Sequence, residues 1–192
     1  MDSEFPEPDV WVERLARLPN SALSDVMELL DIVGSMDGAI RRLAGSRMVG
    51  RALTVERPPR VVGVDHDDRP LATQRLIDKA QPGAVIVIDA KGFTSCGCWG
   101  QMMTTAAIQR SIAGVVIDGC VRDFESVTCL GFSTFARGRS PRSGVRCLAT
   151  TAVNEPVDCG GVRVVAGDYI SGDGDGVVCI PAADVGKVVE HA

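Results

Sequence analysis

Two stretches of the chain are unbroken runs of aliphatic, mostly β-branched residues. Ala84 to Asp89 reads AVIVID, and Gly114 to Asp118 reads GVVID. Runs of this length without polar alternation predict strands buried on both faces. Between and around them the apolar positions return at helical spacing. Leu71 to Ala80 suits a helix closed by Pro82 and Gly83, Gln101 to Ile112 a second, and Phe124 to Leu130 a third. The order strand, helix, strand, helix predicts parallel strands joined by right-handed crossovers. Ala90 to Gly100 reads as a glycine-bearing loop and Asp118 to Asp123 as a turn.

The flanks are less regular. Asp9 can cap a short helix through Arg17. After Pro19 and Asn20, a second helix places Ala22, Leu23, Val26, Leu29 and Leu30 on one apolar face. Gly34, Gly38 and Gly45 break that pattern, and β-type runs follow at Ala52 to Glu56 and Val61 to Val64. Most of Arg57 to Pro70 is polar and reads as a surface loop. The last third holds short β runs at Phe132–Ala136, Cys147–Val153, Val162–Val165 and Val177–Ile180, between Gly- and Asp-rich turns. A final helix, Ala182 to Glu190, offers Val185, Val188 and Val189 to a core. The sum is one mixed α/β domain over residues 1–192 without internal repeats, with residues 1–9 expected to be flexible.

Composition narrows the function classes. The 192 residues are 45% hydrophobic and 23% charged, ordinary values for a folded chain. Twenty basic against 25 acidic residues give a net charge of -5. This argues against nucleic acid as a partner, which needs a concentrated positive field. No apolar run reaches the 18 or so residues of a membrane span. Met1 to Pro8 is acidic with two prolines, unlike a signal or transit peptide. The seven cysteines include no C-x-x-C pair. An odd, scattered set suggests reduced thiols and a cytoplasmic protein.

Two segments could carry chemistry, because ligands of open parallel sheets collect at the carboxyl ends of the strands. The first, Lys91 to Gln101, holds Gly92, Gly97 and Gly100 and leads into a helix. The N–H groups of Met102 and Met103 at that helix start could hold a carboxylate. A plain crossover loop is the alternative. The second, Asp118-Gly-Cys-Val-Arg-Asp123, ends in adjacent charges. Arg122 suits a carboxylate or oxyanion, and Asp123 a hard cation. The alternative is a surface salt bridge with Asp123 capping the next helix. The Asp173-Gly-Asp-Gly stretch lacks the remaining ligands of a calcium loop and reads as a tight turn. Cys120 has no neighbouring histidine and reads as a small core residue. The Met102 and Met103 side chains read as core too.

Gly114-Val-Val-Ile-Asp-Gly-Cys-Val-Arg-Asp123 resembles the GxxIDGxxRD signature of the RraA-like proteins. This family includes the class II 4-hydroxy-4-methyl-2-oxoglutarate/4-carboxy-4-hydroxy-2-oxoadipate aldolases. Leu23-Ser-Asp25 resembles its early helix, Gly50 to Val55 its first long strand and Pro82 to Asp89 its central strand. Gly160 to Asp168 and Asp173 to Pro181 are similar to its closing hairpins. The resemblance implies a three-layer β/β/α swivelling-type domain with a central mixed or parallel sheet. It also implies a homotrimer or dimer of trimers with sites between subunits. By resemblance, Asp123 holds Mg²⁺ or Mn²⁺ and Arg122 contacts a 2-oxo acid. Gly100, Gln101, Met102 and Met103 line the substrate site, where backbone N–H groups take the substrate carboxylate. The implied reaction is carbon–carbon cleavage, by retro-aldol or decarboxylation chemistry, through an enolate.

The sequence departs from that pattern in two places. The aldolases carry an acidic residue in the form [D/E]-x20-R-D, and here that position is Gln101. The longer family C-terminal helix, which gives an acidic residue to the neighbouring subunit, is shortened, leaving Glu190 as the candidate replacement. Three function classes follow: a metal-assisted lyase; a diverged enzyme with a new carboxylate substrate and no metal requirement; and a non-catalytic protein that binds and regulates a partner.

Overall fold

The computed structural model describes residues 9–61 and 72–192. Helices α1 (Val10–Leu15) and α2 (Asn20–Leu29) lead into strands β1 (Arg41–Ala44) and β2 (Met48–Glu56). The middle alternates α3 (Ala72–Lys79), β3 (Val85–Trp99), α4 (Gln101–Gln109), β4 (Gly114–Val121), α5 (Phe124–Cys129) and β5 (Thr134–Arg139). Five short strands follow: β6 (Ala152–Val153), β7 (Val157–Cys159), β8 (Val162–Val164), β9 (Tyr169–Gly172) and β10 (Val177–Ile180). Helix α6 (Val185–His191) closes the chain.

Among the described residues, eight strands form one mixed sheet in the order β1-β5-β4-β3-β2-β9-β10, with β6 also on β2. The pairs β2–β3, β3–β4 and β4–β5 are parallel, as the two apolar runs predict. The β1, β6, β9 and β10 pairings are antiparallel. The β7–β8 hairpin is a separate small sheet.

Three apolar clusters show how the layers hold. Ile86, Ile88, Val115 and Ile117 pack with Leu76, Ile77, Ala107 and Val127, joining the sheet to α3, α4 and α5. Their alternates Val85, Val87 and Val116 pack with Val157, Val162 and Val164 of the hairpin. A strand buried on both faces has no polar alternation because each face meets its own layer. The layers are therefore hairpin, sheet and helices, the expected β/β/α arrangement. Leu23, Val26 and Met27 of α2 join Val185, Val188 and Val189 of α6 over Val49, Tyr169 and Ile180. Asp173 accepts from the Asn20 N–H at 2.9 Å, so the Asp-Gly-Asp-Gly turn caps α2 from the far end of the chain. That turn is closed by Asp173 N–H donating to Gly176 O at 2.9 Å.

Several boundaries differ from the sequence reading. Residues 90–99 are not a loop but the second half of β3, paired to β4 with repeated register shifts. The glycines break the period without ending the pairing. Strand β4 likewise runs on to Val121, so the expected turn over 118–123 shrinks to Arg122 and Asp123. The polar strand β1 was not foreseen; it is an edge strand, exposed at Arg41 and Arg42. Residues 62–71 lie outside the described residues, and with them most of the β run at 61–64 and of the polar loop. Residues 1–8 lie outside too. Asp9, placed in the flexible segment by the sequence reading, is held by α1 and by Arg51, whose Nε is 2.8 Å from its carboxylate.

A chain of charges lies between the sheet and the hairpin. Asp89 is fully buried and Asp118 nearly so. Lys91 Nζ donates to Asp89 at 2.6 Å and to Glu56 at 3.0 Å. Arg137 bonds Asp118 through Nε and Asp37 through Nη1 at 2.7 Å. Both buried carboxylates accept hairpin N–H groups, Asp89 from Asp158 at 3.3 Å and Asp118 from Gly160 at 2.9 Å. The hydrogen bond that Lys91 donates to Asp89 raises the Lys91 pKa, and the one that Arg137 donates to Asp118 raises the Arg137 pKa. Both cations stay charged, as buried carboxylates require.

Candidate active site

The site forms where the parallel strands end. Strand β3 stops at Trp99, Gly100 follows, and α4 begins at Gln101. Strand β4 stops at Val121, and the Arg122 N–H donates to Trp99 O at 2.7 Å, tying the two strand ends together. Trp99 is anchored beneath: its Nε1 donates to Thr104 Oγ1 at 2.8 Å, and its ring stacks on Phe132 with centroids 6.1 Å apart.

Two glycines make room for the charged pair. A Cβ on Gly97 would lie 2.1 Å from Arg122 Cγ, and one on Gly100 would lie 2.7 Å from Asp123 Oδ2. The glycines of this segment thus accommodate the protein's own Arg122 and Asp123. Asp123 adopts a left-handed backbone at φ 51°, tolerable for Asp and costly for most other residues. It occupies the N-cap position of α5 but makes no side-chain cap there. Its carboxylate turns instead to α4 and accepts the Gln101 N–H at 3.2 Å. The helix cap weighed for Asp123 is therefore made to the other helix. The Arg122 salt bridge is loose, with Nη2 to Oδ1 at 3.7 Å and both side chains over a third exposed. Such a pair contributes little to stability.

A cavity of about 230 Å³ opens here. Gly100, Met102, Met103, Arg122 and Asp123 all line it. Gln101 lines the adjoining cavity, which shares Arg122 and Asp123 and adds Glu125 and Arg139. Gly100 brings no side chain to cap α4, leaving the Met102 and Met103 N–H groups for an outside acceptor. Met102 corrects the sequence reading: it is 87% exposed on the rim, while Met103 packs partly into the core. A residue at the first turn of α4 faces the site before it can reach the sheet.

Two groups lining the cavity escaped the sequence reading. Residues Ser143, Gly144 and Val145 cover one wall, drawn in by the Gly97 N–H donating to Arg142 O at 2.9 Å. Nothing in their sequence signals this. Arg57 lines the cavity as well, its Nη1 donating to Cys98 O at 2.8 Å. A signal existed: Arg57 follows the last residue of β2, at the carboxyl end of a parallel strand. Cys120 is buried, and burial raises its thiol pKa, so it is no thiolate nucleophile at neutral pH. Among the described residues no three His, Cys, Asp or Glu side chains cluster to hold a metal. No described helix is long and apolar enough to cross a membrane.

Comparison with known proteins places this geometry. The sequence profile of the RraA-like family, described as Aldolase/RraA, matches residues 20–179. A Halalkalibacterium halodurans protein provisionally named 4-hydroxy-4-methyl-2-oxoglutarate aldolase is 33% identical over 183 residues, covering 95% of this chain and 81% of its own. Protein DlpA of Legionella pneumophila is 31% identical over 95% of this chain, which spans only 30% of DlpA. The crystal structure of Streptomyces coelicolor RraAS2, described as an unusual member of the RNase ES inhibitor RraA family, matches with a TM-score of 0.85. That match has 28% identity and covers 97% of this chain and 92% of RraAS2.

Proposed function

The chain belongs to the RraA-like family, and from that premise we propose that the cavity at Arg122 and Asp123 is the active site of a metal-assisted lyase. Its substrate is a 2-oxo acid, cleaved at a carbon–carbon bond by retro-aldol or decarboxylation chemistry. The observation that carries this reading is the convergence of Arg122, Asp123 and the Met102 and Met103 N–H groups at the start of α4 on one cavity. A relative provisionally named as an aldolase supports it.

One carboxylate with open space beside it fits Mg²⁺ or Mn²⁺, since Mg²⁺ keeps several waters and needs only one or two protein carboxylates. Asp123 would hold the ion, which when bound supplies Lewis-acid polarisation of the 2-oxo carbonyl. The residues do the rest. The Met102 and Met103 N–H groups, with the helix dipole behind them, orient the substrate carboxylate. The Arg122 guanidinium faces the carbonyl oxygen and stabilises the negative charge that grows there as the enolate forms. Gly97 and Gly100 keep both charged side chains in place. The proposal includes a homotrimer or dimer of trimers with cavities at subunit boundaries. The exposed rim residues Met102 and Val145 are suited to burial there.

Gln101 favours a second reading. A neutral amide stands where the aldolases carry an acid, and loss of such a supporting group typically costs about 10–100-fold in metal affinity or activity. A diverged enzyme acting on a new carboxylate fits that change, and so, with RraAS2 as a relative, does a partner-binding role. The test is pyruvate release from oxaloacetate and from 4-hydroxy-4-methyl-2-oxoglutarate, with Mg²⁺, Mn²⁺ or EDTA. Wild type, Asp123→Ala and Gln101→Glu are compared. Metal-dependent turnover abolished in Asp123→Ala is expected. Turnover appearing only in Gln101→Glu supports the diverged enzyme. Silence in all three overturns the lyase reading.

A further inference from the structure

We propose that Cys96 and Cys147 form a peroxide-sensitive thiol pair, whose oxidation to a disulfide fastens the cavity wall over residues 143–145 to β3. The reactant class is a small hydroperoxide, hydrogen peroxide included. The inference stands on the placement of the two thiols and is independent of the reaction assigned to the cavity.

The backbone brings the two residues together. The Gly97 N–H donates to Arg142 O at 2.9 Å, Ser143 bridges Gly97, and a Cβ on Gly144 would lie 2.6 Å from Gly97 O. The wall segment therefore lies directly on β3, beside Cys96. It then coils: the Cys147 and Leu148 N–H groups donate to Gly144 O at 3.0 and 2.8 Å, and Cys147 O accepts the Arg60 N–H at 2.8 Å. That turn sets Cys147 against the apolar cluster that contains Cys96. Its thiol is within hydrogen-bonding reach of the Cys96 thiol. Two thiols in such contact, each on a backbone held by hydrogen bonds, approach the side-chain placement a disulfide needs. The neighbouring thiols are turned elsewhere: Cys98 Sγ donates to Cys120 O at 3.4 Å, and Cys120 Sγ to Thr94 O at 3.3 Å. Cys159 and Cys179 pack in a different apolar cluster.

Access divides the labour within the pair. Cys147 is half-buried and Cys96 fully buried. Burial pushes the Cys96 thiol up to about 11, and Arg57 and Arg142 draw it back part of the way. Cys147 is therefore the sulfur that meets the oxidant, and Cys96 the one that resolves it. The Cys147 sulfur attacks one peroxide oxygen and the O–O bond breaks. The thiol proton passes to the departing oxygen, which leaves as an alcohol, or as water from hydrogen peroxide, and Cys147 becomes a sulfenic acid. The Cys96 sulfur then displaces the sulfenic hydroxyl, forming the S–S bond, and that hydroxyl takes the Cys96 proton and leaves as water. The two sulfurs together give up two electrons, and the peroxide takes them. Ser143, Gly144 and Val145 line the cavity. The wall is exposed at Arg142, Ser143, Val145 and Arg146, the kind of segment that opens locally before a sheet does. A covalent tie behind it removes that freedom.

The experiment treats the native full chain with hydrogen peroxide, blocks the remaining thiols with N-ethylmaleimide in denaturant, and locates any link by tandem mass spectrometry. Wild type should lose two hydrogens and join Cys96 to Cys147, and dithiothreitol should reverse this. The melting temperature should rise by about 5 °C or more on oxidation. Trypsin should cut after Arg142 and Arg146 about fivefold or more slowly in the oxidised protein. Both shifts should vanish in Cys147→Ala and persist in Cys129→Ala, which removes the exposed thiol. The mapping uses wild type, so a poorly folded variant does not shelter the inference. Free thiols at both positions after peroxide overturn it. So does a link between other cysteines, oxidation of Cys147 that stops at the sulfinic acid, or a Cys96–Cys147 link formed only in the unfolded chain. A link that leaves cleavage at Arg142 and Arg146 unchanged overturns the fastening of the wall.

Discussion

Replacing Gly97 by alanine tests whether close approach at the strand end positions Arg122. The added Cβ would lie 2.1 Å from Arg122 Cγ, 2.9 Å from its backbone N and 3.0 Å from its Cβ. Carbon atoms rest at about 3.5–4.0 Å, so the nearest contact is short by about 1.5 Å. Overpacking of this kind costs about 1–3 kcal/mol. The strain is specific to Arg122, so removing that side chain should relieve part of it. In urea unfolding, Gly97→Ala should cost about 1–3 kcal/mol in the wild-type background. Its cost should fall by about 1 kcal/mol in an Arg122→Ala background, a coupling well within the range for touching residues. The 2.9 and 3.0 Å contacts remain in the double variant, so relief is incomplete. Gly174→Ala is the control: its added Cβ meets nothing within 4 Å, and its effect should stay within about 0.5 kcal/mol. Costs that add within about 0.3 kcal/mol would refute the placement of Arg122 over Gly97.

Acid should destabilise the fold through three carboxylates. Burial pushes Asp9 up, but hydrogen bonds from Arg51 and Tyr169 outweigh it; the Ala39 N–H and Arg137 lower Asp37; and the Thr151 hydroxyl and Lys91 lower Glu56. Their stabilisation is complete above the ordinary values of 3.8 and 4.5 and is lost as pH falls through the lowered folded values. Melting temperature should therefore drop below about pH 4.5 and drop less steeply in Glu56→Gln; an unchanged slope in that variant would remove Glu56 from the set. Thiol labelling should follow burial. Iodoacetamide near neutral pH should modify exposed Cys129 first, while Cys98, pushed up to about 12 by burial, and the buried Cys159 and Cys179 react only after denaturation, as read by mass spectrometry.

The parts of the fold legible in the sequence are those where local pattern and tertiary role coincide. AVIVID and GVVID announce strands buried on both faces, and the spacing of Val185, Val188 and Val189 announces α6. The second half of β3 was hidden because its glycines and polar residues look like a loop, whereas its pairing to β4 is set by the neighbouring strand. Strand β1 was hidden because an edge strand with exposed arginines has no apolar alternation. At the site, Arg122 and Asp123 were visible as charges following a buried strand. Their geometry was not: the Asp123 cap reaches a helix 22 residues back, a contact no local rule contains. Arg57 was missed although it obeys the same strand-end rule, since the prolines after it suggested a surface loop.

The buried charges between sheet and hairpin bear on how relatives of this chain can be recombined. Asp89 and Lys91 sit on β3, Glu56 on β2, Asp118 on β4 and Arg137 on β5, with Asp37 far upstream and the hairpin N–H groups far downstream. A chimera whose crossover falls between Asp118 and Arg137 inherits one half of an ion pair from each parent. Where the second parent lacks the matching charge, the hybrid is left with an uncompensated buried ion, a loss of about 3–5 kcal/mol. Viable crossovers should therefore fall outside residues 37–137, at the α1–α2 end or after β5. The segment between them is inherited as one block, and it carries the candidate active site with it.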